Sequence, residues 1–149
     1  MEKAHRRAPA VPTQTRRSIP IALLRAREQV MSRFRPMLAV HGVTEQQWRV
    51  LRVVAESEAI DASELAQRAC ILAPSLTRIA KHLEDGGLIM RVKDAQDARR
   101  ARFDIAPDGL ALIDAMAADR EAIYASIEAE FGHERMETLL ELLEQLAEL

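Results

Sequence analysis

The chain has 149 residues, a net charge of −2 and one cysteine, and 48% of its residues are hydrophobic. This length fits one domain with its own core, while a single thiol excludes an internal disulfide or a cysteine-based zinc site and predicts a reducing cytoplasm. Aromatic residues make up only 3%, no apolar run reaches the ~18 residues of a membrane span, and no signal peptide is predicted, which disfavours aromatic-rich single-strand binders and membrane proteins.

The charge is distributed unevenly along the chain. Residues 1–17 carry five basic side chains and one acidic, residues 73–102 carry seven and four, and residues 107–149 carry two and eleven. An acidic C-terminal third would repel a phosphate backbone, so any nucleic-acid surface is expected in the basic middle. Residues 1–17 are rich in Pro, Ala, Thr and Arg without periodicity, which predicts a flexible basic arm.

A first helix is predicted from Ser18 to about His41, because apolar residues recur there at spacings of three and four. Its stripe consists of Leu24, Arg27, Met31, Phe34 and Leu38. Arg27 stands where an apolar residue is expected and therefore needs a partner. Pro36 is expected to kink or end this helix.

The next two helices carry capping signals at their N-termini. Thr44 and Gln47 form a capping box at the start of a helix that extends to about Ser57. A short strand or turn follows. Asp61 then caps a short helix over residues 62–70.

The segment ILAPSLTRIAKHLEDGGL, residues 71–88, predicts a helix over 74–85 with two different faces. Pro74 suits the first helical position, and Gly86 or Gly87 supplies the left-handed residue that ends the helix. The apolar ridge consists of Leu76, Ile79, Ala80 and Leu83, and the polar face of Ser75, Thr77, Arg78, Lys81 and His82. A basic helix face by itself is usually just solvated.

After this helix the hydrophobic period changes to two, which predicts a β-hairpin. Residues 88–93 and 102–105 alternate, and the polar segment 94–100 between them forms a long, charged tip. A long helix is predicted from Pro107 to Phe131, and Gly132 separates it from a last helix. The last helix has an apolar stripe too broad for a surface helix, so it is expected to cover a partner helix of its own chain or of a second copy.

This order of elements predicts a mainly α (α+β) fold, a winged helix-turn-helix over about residues 44–105. The flanking helices, about 18–41 and 107–149, are expected to form a helical dimerisation region, so that residues 18–149 make one domain. In such units the second helix of the helix-turn-helix enters the major groove of double-stranded DNA.

Each residue type on the polar face suits a contact with DNA. Arg78 can donate two hydrogen bonds to guanine. Ser75 and Thr77 lie in the first turn, where they can hold phosphate, and Lys81 suits phosphate better than a base. His82 can do either.

The hairpin tip offers two further cations. Arg99 and Arg100 can enter the narrow, electronegative minor groove. Asp97 lies two residues before Arg99 and can fix its side chain through a charge-assisted hydrogen bond.

From residue 18 to the end, the sequence resembles the MarR-type transcription regulators. The motifs that carry the resemblance are residues 44–57, 63–87, 97–100 and 105–109. The family more often has Leu-Thr where Ile105-Ala106 stands. Within the family, the chain most resembles the regulators of homoprotocatechuate (hydroxyphenylacetate) degradation operons. The stretches that carry this closer likeness are IALLRARE, FRPML, VTEQQWRVLR and RACILAPSLTRI.

The resemblance implies a homodimer that binds a pseudo-palindromic operator, usually as a repressor. It also implies release by a small phenolic or aromatic acid that binds between the dimer body and the winged domain. Arg27 is the candidate for the effector carboxylate, with Phe34 and Trp48 as ring surfaces. Arg27 can instead pair with a helix carboxylate, and Trp48 can be a core residue.

Other functions stay open at this stage. Cys70 is expected to pack in the core, and the alternative is an oxidant-sensing regulator with Cys70 as its thiol. His41, His82 and His133 are too scattered to predict a metal site, and no cofactor is predicted. No nucleophile–base spacing or phosphate-binding glycine loop indicates an enzyme. The remaining alternative is a helical interaction protein whose winged fold has lost DNA binding.

Overall fold

The computed structural model describes residues 17–149. The flexible arm predicted for residues 1–17 therefore lies, apart from Arg17, outside the described residues. The chain divides into one compact unit that ends at Arg33 and a second from Phe34 to Leu149.

The described chain is mainly helical and contains one small sheet. Its helices are α1 (Ile19–Val40), α2 (Glu45–Ala55), α3 (Ala62–Arg68), α4 (Ala73–Asp85), α5 (Pro107–Ala115), α6 (Ala117–Phe131) and α7 (His133–Ala147). Its strands are β1 (Ile60–Asp61), β2 (Ile89–Lys93) and β3 (Ala101–Ile105), antiparallel in the order β1-β3-β2. The order from α2 to β3 confirms the predicted winged helix-turn-helix.

The first helix spans nearly the predicted range and continues through Pro36 to Val40. Of the two effects expected of this proline, an end of the helix is therefore excluded. Proline costs a helix one hydrogen bond, here the bond to the carbonyl of Ser32. Ser32 lies on an exposed part of the helix, where water can bind that carbonyl.

The predicted capping signals are present at both helices that carry them. The Gln47 N–H donates to the Thr44 hydroxyl and the Thr44 N–H donates to the Gln47 side chain, both at 3.1 Å. The Asp61 carboxylate accepts a 2.8 Å hydrogen bond from the Glu64 N–H. These bonds satisfy N–H groups that a helix start would otherwise leave without partners.

The core of the winged unit lies between α2, α3, α4 and the sheet. Its fully buried side chains include Val50, Leu51, Val54, Leu65 and Ile89. The hairpin is in register with Ile89 opposite Ile105 and Arg91 opposite Phe103. Because this core holds one side of α4, it fixes which side of that helix stays exposed.

Gly109 sets how closely α5 approaches the hairpin. A Cβ atom added at this buried residue would lie 2.2 Å from the Leu88 carbonyl oxygen and 2.6 Å from Cδ1 of Ile105. Only glycine leaves room for this approach, which explains the Pro107-Asp108-Gly109 start of the helix.

The long helix predicted over residues 107–131 is interrupted at Met116, so that prediction was wrong in detail. The Met116 N–H donates to the Ile113 carbonyl, a tighter i to i−3 pattern, and Met116 itself is completely buried. The tighter turn ends α5 at Ala115, and the side chain of the next residue, Met116, enters the core. No glycine or proline marks this break in the sequence.

Neither α6 nor α7, both fully described, contains a buried residue. Their large exposed apolar residues are Tyr124, Leu139, Leu140, Leu142 and Leu146. A face of this kind is expected to be covered by another protein surface. Between residues 17 and 149, no helix combines the length and apolar character needed to cross a bilayer.

Candidate nucleic-acid interface and effector site

Helix α4 has the two faces that its sequence predicts. Leu76, Ile79, Ala80 and Leu83 are each at most 5% exposed. Thr77, Arg78, Lys81 and His82 are exposed, and Ser75 is half-buried. The apolar ridge thus holds α4 on its domain while the polar face stays open to solvent.

The polar side chains of α4 differ in how they are engaged. Arg78 makes no ion pair with any residue of the described chain. Lys81 lies 3.4 Å from the Asp85 carboxylate, with both side chains mostly exposed. The Thr77 hydroxyl donates to the Ala73 carbonyl at 3.2 Å, which leaves its oxygen free to accept. Arg78 is therefore the cation of this face that can bind a ligand without first breaking an internal contact.

The turn before α4 is more exposed than the sequence predicts. Leu72 stands at the N-cap position with no side-chain cap and is 80% exposed. Cys70 is exposed as well, with a left-handed φ of 54°, so the prediction of core packing was wrong. Of the neighbouring residues, Ala69 is buried and Ile71 is partly buried against the core.

The hairpin tip presents Arg99 and Arg100 as predicted, both exposed and without ion pairs to residues 17–149. Asp97 acts differently from the prediction. Its carboxylate accepts the backbone N–H of Arg99 at 2.9 Å, rather than the Arg99 side chain, and its carbonyl accepts the Arg100 N–H at 3.1 Å. Asp97 therefore shapes the backbone that carries both arginines.

The base of the tip is held by a pair that sequence reasoning missed. Arg102 Nε donates to Asp94 Oδ2 at 3.0 Å. The backbone N–H of Gln96 and then the Arg102 guanidinium hold the pKa of Asp94 below its usual value, and Asp94 raises the pKa of Arg102. Both groups are therefore charged at neutral pH.

A second cluster surrounds Trp48 in the unit from Phe34 to Leu149. The guanidinium of Arg52 lies 5.8 Å from the indole centroid and that of Arg120 lies 6.0 Å away. Nη1 of Arg120 is buried and has no hydrogen-bond partner among the described residues. An unpaired buried donor costs roughly 1–3 kcal/mol, so a ligand oxygen placed there would be favourable.

The other predicted effector residues are placed as follows. Phe34 is buried and packs edge-on against Tyr124, with ring centroids 5.0 Å apart, and Tyr124 is exposed. Arg27 lies on the exposed side of α1, with Nη1 3.7 Å from the Glu28 carboxylate. The ion-pair alternative for Arg27 is therefore present in this chain. Sequence reasoning missed Arg120 and Tyr124, which lie more than seventy positions after Trp48.

No group of three or more potential metal ligands occurs within residues 17–149. Two of the histidines lie in different surroundings. His133 contacts Glu128 at 2.9 Å, and His82 lies on the exposed face of α4.

Comparison with known proteins agrees with this architecture. The MarR family model matches residues 43–101. The chain is 46% identical over 132 residues to a homoprotocatechuate degradative operon repressor of Escherichia coli, and the match spans 89% of each chain. It is 41% identical over 140 residues to the HTH-type transcriptional regulator FarR of Neisseria gonorrhoeae, across 93% of this chain and 96% of FarR.

A solved structure adds a ligand to the comparison. The crystal structure of NadR in complex with 4-hydroxyphenylacetate is 41% identical to this chain, with a TM-score of 0.81, and the match covers 93% of this chain and 99% of NadR. The predicted resemblance to the branch that regulates homoprotocatechuate degradation is thereby confirmed, and the relatives are regulators, not enzymes. The chain belongs to the MarR family of transcription regulators.

Proposed function

We propose that this chain is a cytoplasmic, homodimeric repressor of an operon for the degradation of an aromatic compound. It binds a pseudo-palindromic operator and is released by a small phenolic acid. The observation that carries DNA binding is the division of α4 into a buried ridge and an exposed face, on which Arg78 makes no ion pair with the described part of the chain.

The roles on α4 follow from the available donors. Arg78 reads a guanine through two hydrogen bonds. Lys81 binds phosphate, because a single ammonium on a long chain neutralises charge without fixing a direction. Ser75 and Thr77, with the first free N–H groups of the helix, bind a second phosphate. His82 lies one turn beyond Arg78 and contacts the backbone or a base edge.

The wing extends the contact to the neighbouring minor groove. Arg99 and Arg100 are the exposed cations at its tip, and the narrow minor groove attracts such side chains. Asp97 contributes by holding the backbone of this tip.

The dimer is proposed to form through α6 and α7, the helices whose apolar side chains are not buried within the chain. Helix α6 exposes Tyr124, helix α7 exposes four leucines, and neither helix contains a buried residue. A symmetric dimer presents two copies of α4, and their separation must match successive major grooves, about 34–36 Å apart.

The effector is proposed to bind beside Trp48. The indole offers a ring surface for an aromatic acid, and the buried Nη1 of Arg120 offers a donor for its carboxylate. Tyr124 is exposed and in contact with Phe34, and we propose these two rings as further apolar surface for the effector. Arg27 stays a candidate for a carboxylate contact. Two relatives support a phenylacetate as the ligand: one is named as the repressor of a homoprotocatechuate degradative operon, and the structure of the other, NadR, is a complex with 4-hydroxyphenylacetate.

Release requires that the effector bind one conformation of the dimer better than the other. A ligand with equal affinity for both conformations would shift nothing. We therefore expect the effector-bound dimer to hold its two α4 helices at a separation that does not match the groove spacing.

The test is binding of the purified protein to a labelled duplex from upstream of its own gene, with random duplex as the control. Affinity is expected to fall steeply with salt. Addition of 4-hydroxyphenylacetate or 3,4-dihydroxyphenylacetate is expected to release the duplex, while phenylacetate tests the need for a hydroxyl group. Calorimetry checks that the acid binds the free protein.

Two results would overturn parts of this proposal. Equal affinity for the upstream and the random duplex would remove sequence-specific repression. Release by peroxide but not by any hydroxyphenylacetate would favour oxidant sensing through the exposed Cys70. A Cys70→Ser variant that no longer responds to peroxide would confirm that alternative.

A further inference from the structure

The tip of the hairpin is tied to the rest of the domain through one side chain of β3. Arg102 donates from Nε to Asp94 at 3.0 Å and from Nη1 to the Ala59 carbonyl at 2.8 Å. Asp94 begins the tip, and its side chain is only 8% exposed. Ala59 belongs to the loop before β1. One guanidinium therefore joins the start of the tip to a loop on the far side of the sheet.

Both backbone groups of Ala59 form hydrogen bonds with side chains of β3. The Ala59 carbonyl accepts from Arg102, while the Ala59 N–H donates to Asp104 at 2.8 Å. Ala59 has a left-handed φ of 44°, which costs a residue with a Cβ and persists only where contacts hold it. The next residues form β1, which ends at Asp61, the cap of α3. The two hydrogen bonds to Ala59 therefore connect β3 to the start of the helix-turn-helix.

On the other side, Asp94 leads to the two arginines of the tip. Its second carboxylate oxygen accepts the Gln96 N–H at 2.8 Å. Asp97 follows immediately and accepts the backbone N–H groups of Arg99 and Arg100. The tip is thus shaped by two successive turns, each built on an aspartate, and only the first is tied to the body of the domain.

We propose that Arg102 is a positioning residue for DNA binding, which holds Arg99 and Arg100 in place through Asp94 without touching DNA itself. This inference rests on the proposed contact of the tip with the minor groove. Two donors of Arg102 are already engaged inside the domain. A loose tip would have to be ordered when DNA binds, and ordering costs affinity for every residue that loses freedom.

The experiment is a thermodynamic cycle on operator affinity. Arg102→Gln is measured in the wild-type chain and in the Arg99→Ala/Arg100→Ala background, by anisotropy on the upstream duplex. If Arg102 acts through the tip, its loss weakens binding about tenfold in the first case and less than about twofold in the second. A direct phosphate contact would predict equal losses in both backgrounds, together with a fall of about 0.9 in the salt slope in each.

Two further variants keep the test independent of folding. Asp94→Asn keeps the size of the side chain and should reproduce the loss, and the Asp94→Asn/Arg102→Gln double variant should be no weaker than either single variant. Arg91→Gln is the matched control, because Arg91 on β2 pairs with Glu84 at 3.1 Å and has no bond to the tip. Its effect should be the same in both backgrounds.

The outcomes separate the inference from the proposed function. If Arg99→Ala/Arg100→Ala leaves operator affinity unchanged, the proposed contact of the tip with DNA fails, and the inference fails with it. If that double variant binds weakly while Arg102→Gln and Asp94→Asn bind like wild type, the tip contacts DNA but Arg102 does not position it. Equal losses for Arg102→Gln in both backgrounds would also overturn the inference.

Discussion

Replacing Arg78 by alanine is expected to remove sequence preference while leaving general affinity for DNA nearly intact. Arg78 lies on the exposed face of α4 and makes no ion pair within residues 17–149. Its truncation therefore breaks no contact in the free protein and leaves no buried charge. The expected loss is that of one bidentate contact to guanine, roughly 1–3 kcal/mol, or about 5- to 150-fold on the operator.

Lys81→Ala is the control variant, because it removes, from the same helix face, a cation that is expected to contact phosphate and not a base. Lys81 lies 3.4 Å from the Asp85 carboxylate, with both side chains more than half exposed, and such a pair is worth about 0.3–0.5 kcal/mol. Loss of Lys81 should therefore weaken specific and random DNA alike and lower the salt slope by about 0.9. Arg78→Ala should therefore change the ratio of operator affinity to random-duplex affinity, whereas Lys81→Ala should lower both affinities and the salt slope.

The assay is anisotropy on the upstream duplex and on a random duplex of equal length, at several salt concentrations. Circular dichroism checks that α4 is intact. Equal losses on both duplexes for Arg78→Ala would show that Arg78 contacts the phosphate backbone. The division of roles along α4 would then be wrong.

Three other predictions concern the effector cluster and the fold. Arg120→Met should weaken binding of 4-hydroxyphenylacetate at least about tenfold by calorimetry. The melting temperature should stay equal or rise, since the change removes a buried donor that has no partner among the described residues. A lower melting temperature with unchanged effector affinity would make Arg120 structural. Gly109→Ala should cost about 1–3 kcal/mol of unfolding free energy, because its Cβ would overlap the Leu88 carbonyl, whereas Gly86→Ala, whose Cβ would lie 3.4 Å from its nearest neighbour, should cost far less. Thr44→Ala should cost about 1 kcal/mol in urea unfolding through loss of the capping box, and no change would mean that the cap is dispensable.

The elements that sequence predicts well are those whose signals are local. The ridge of α4 follows from apolar residues at spacings of three and four, and all four of its members are buried. The cap at Thr44 follows from two residues three positions apart. The hairpin follows from a change of period. In each case the physical cause lies within one or two turns of the chain.

The sequence-based predictions fail or miss a feature where contacts distant in the chain determine the structure. Cys70 is apolar enough for a core, but in the turn before α4 it is exposed, as is Leu72, while Ile71 between them packs against the core. The pairing of Arg102 with Ala59 spans forty-three positions, and no pattern within β3 indicates it. The interruption at Met116 depends on a side chain that enters the core from a helix whose sequence shows no breaker.

The proposed DNA and effector sites use arginines in opposite states. Arg78 is exposed, so its charge is solvated in the free protein, and binding must exchange water and counterions for DNA. Nη1 of Arg120 is buried and has no hydrogen-bond partner within residues 17–149, so part of the cost of desolvation has already been incurred before a ligand arrives. The exposed Arg78 suits DNA, which must be bound in a salt-dependent way and released. The buried Nη1 of Arg120 suits a small acid that enters a preformed site. A regulator that exchanges one ligand for the other needs both, because the acid must supply enough differential binding energy to outweigh the contacts to DNA.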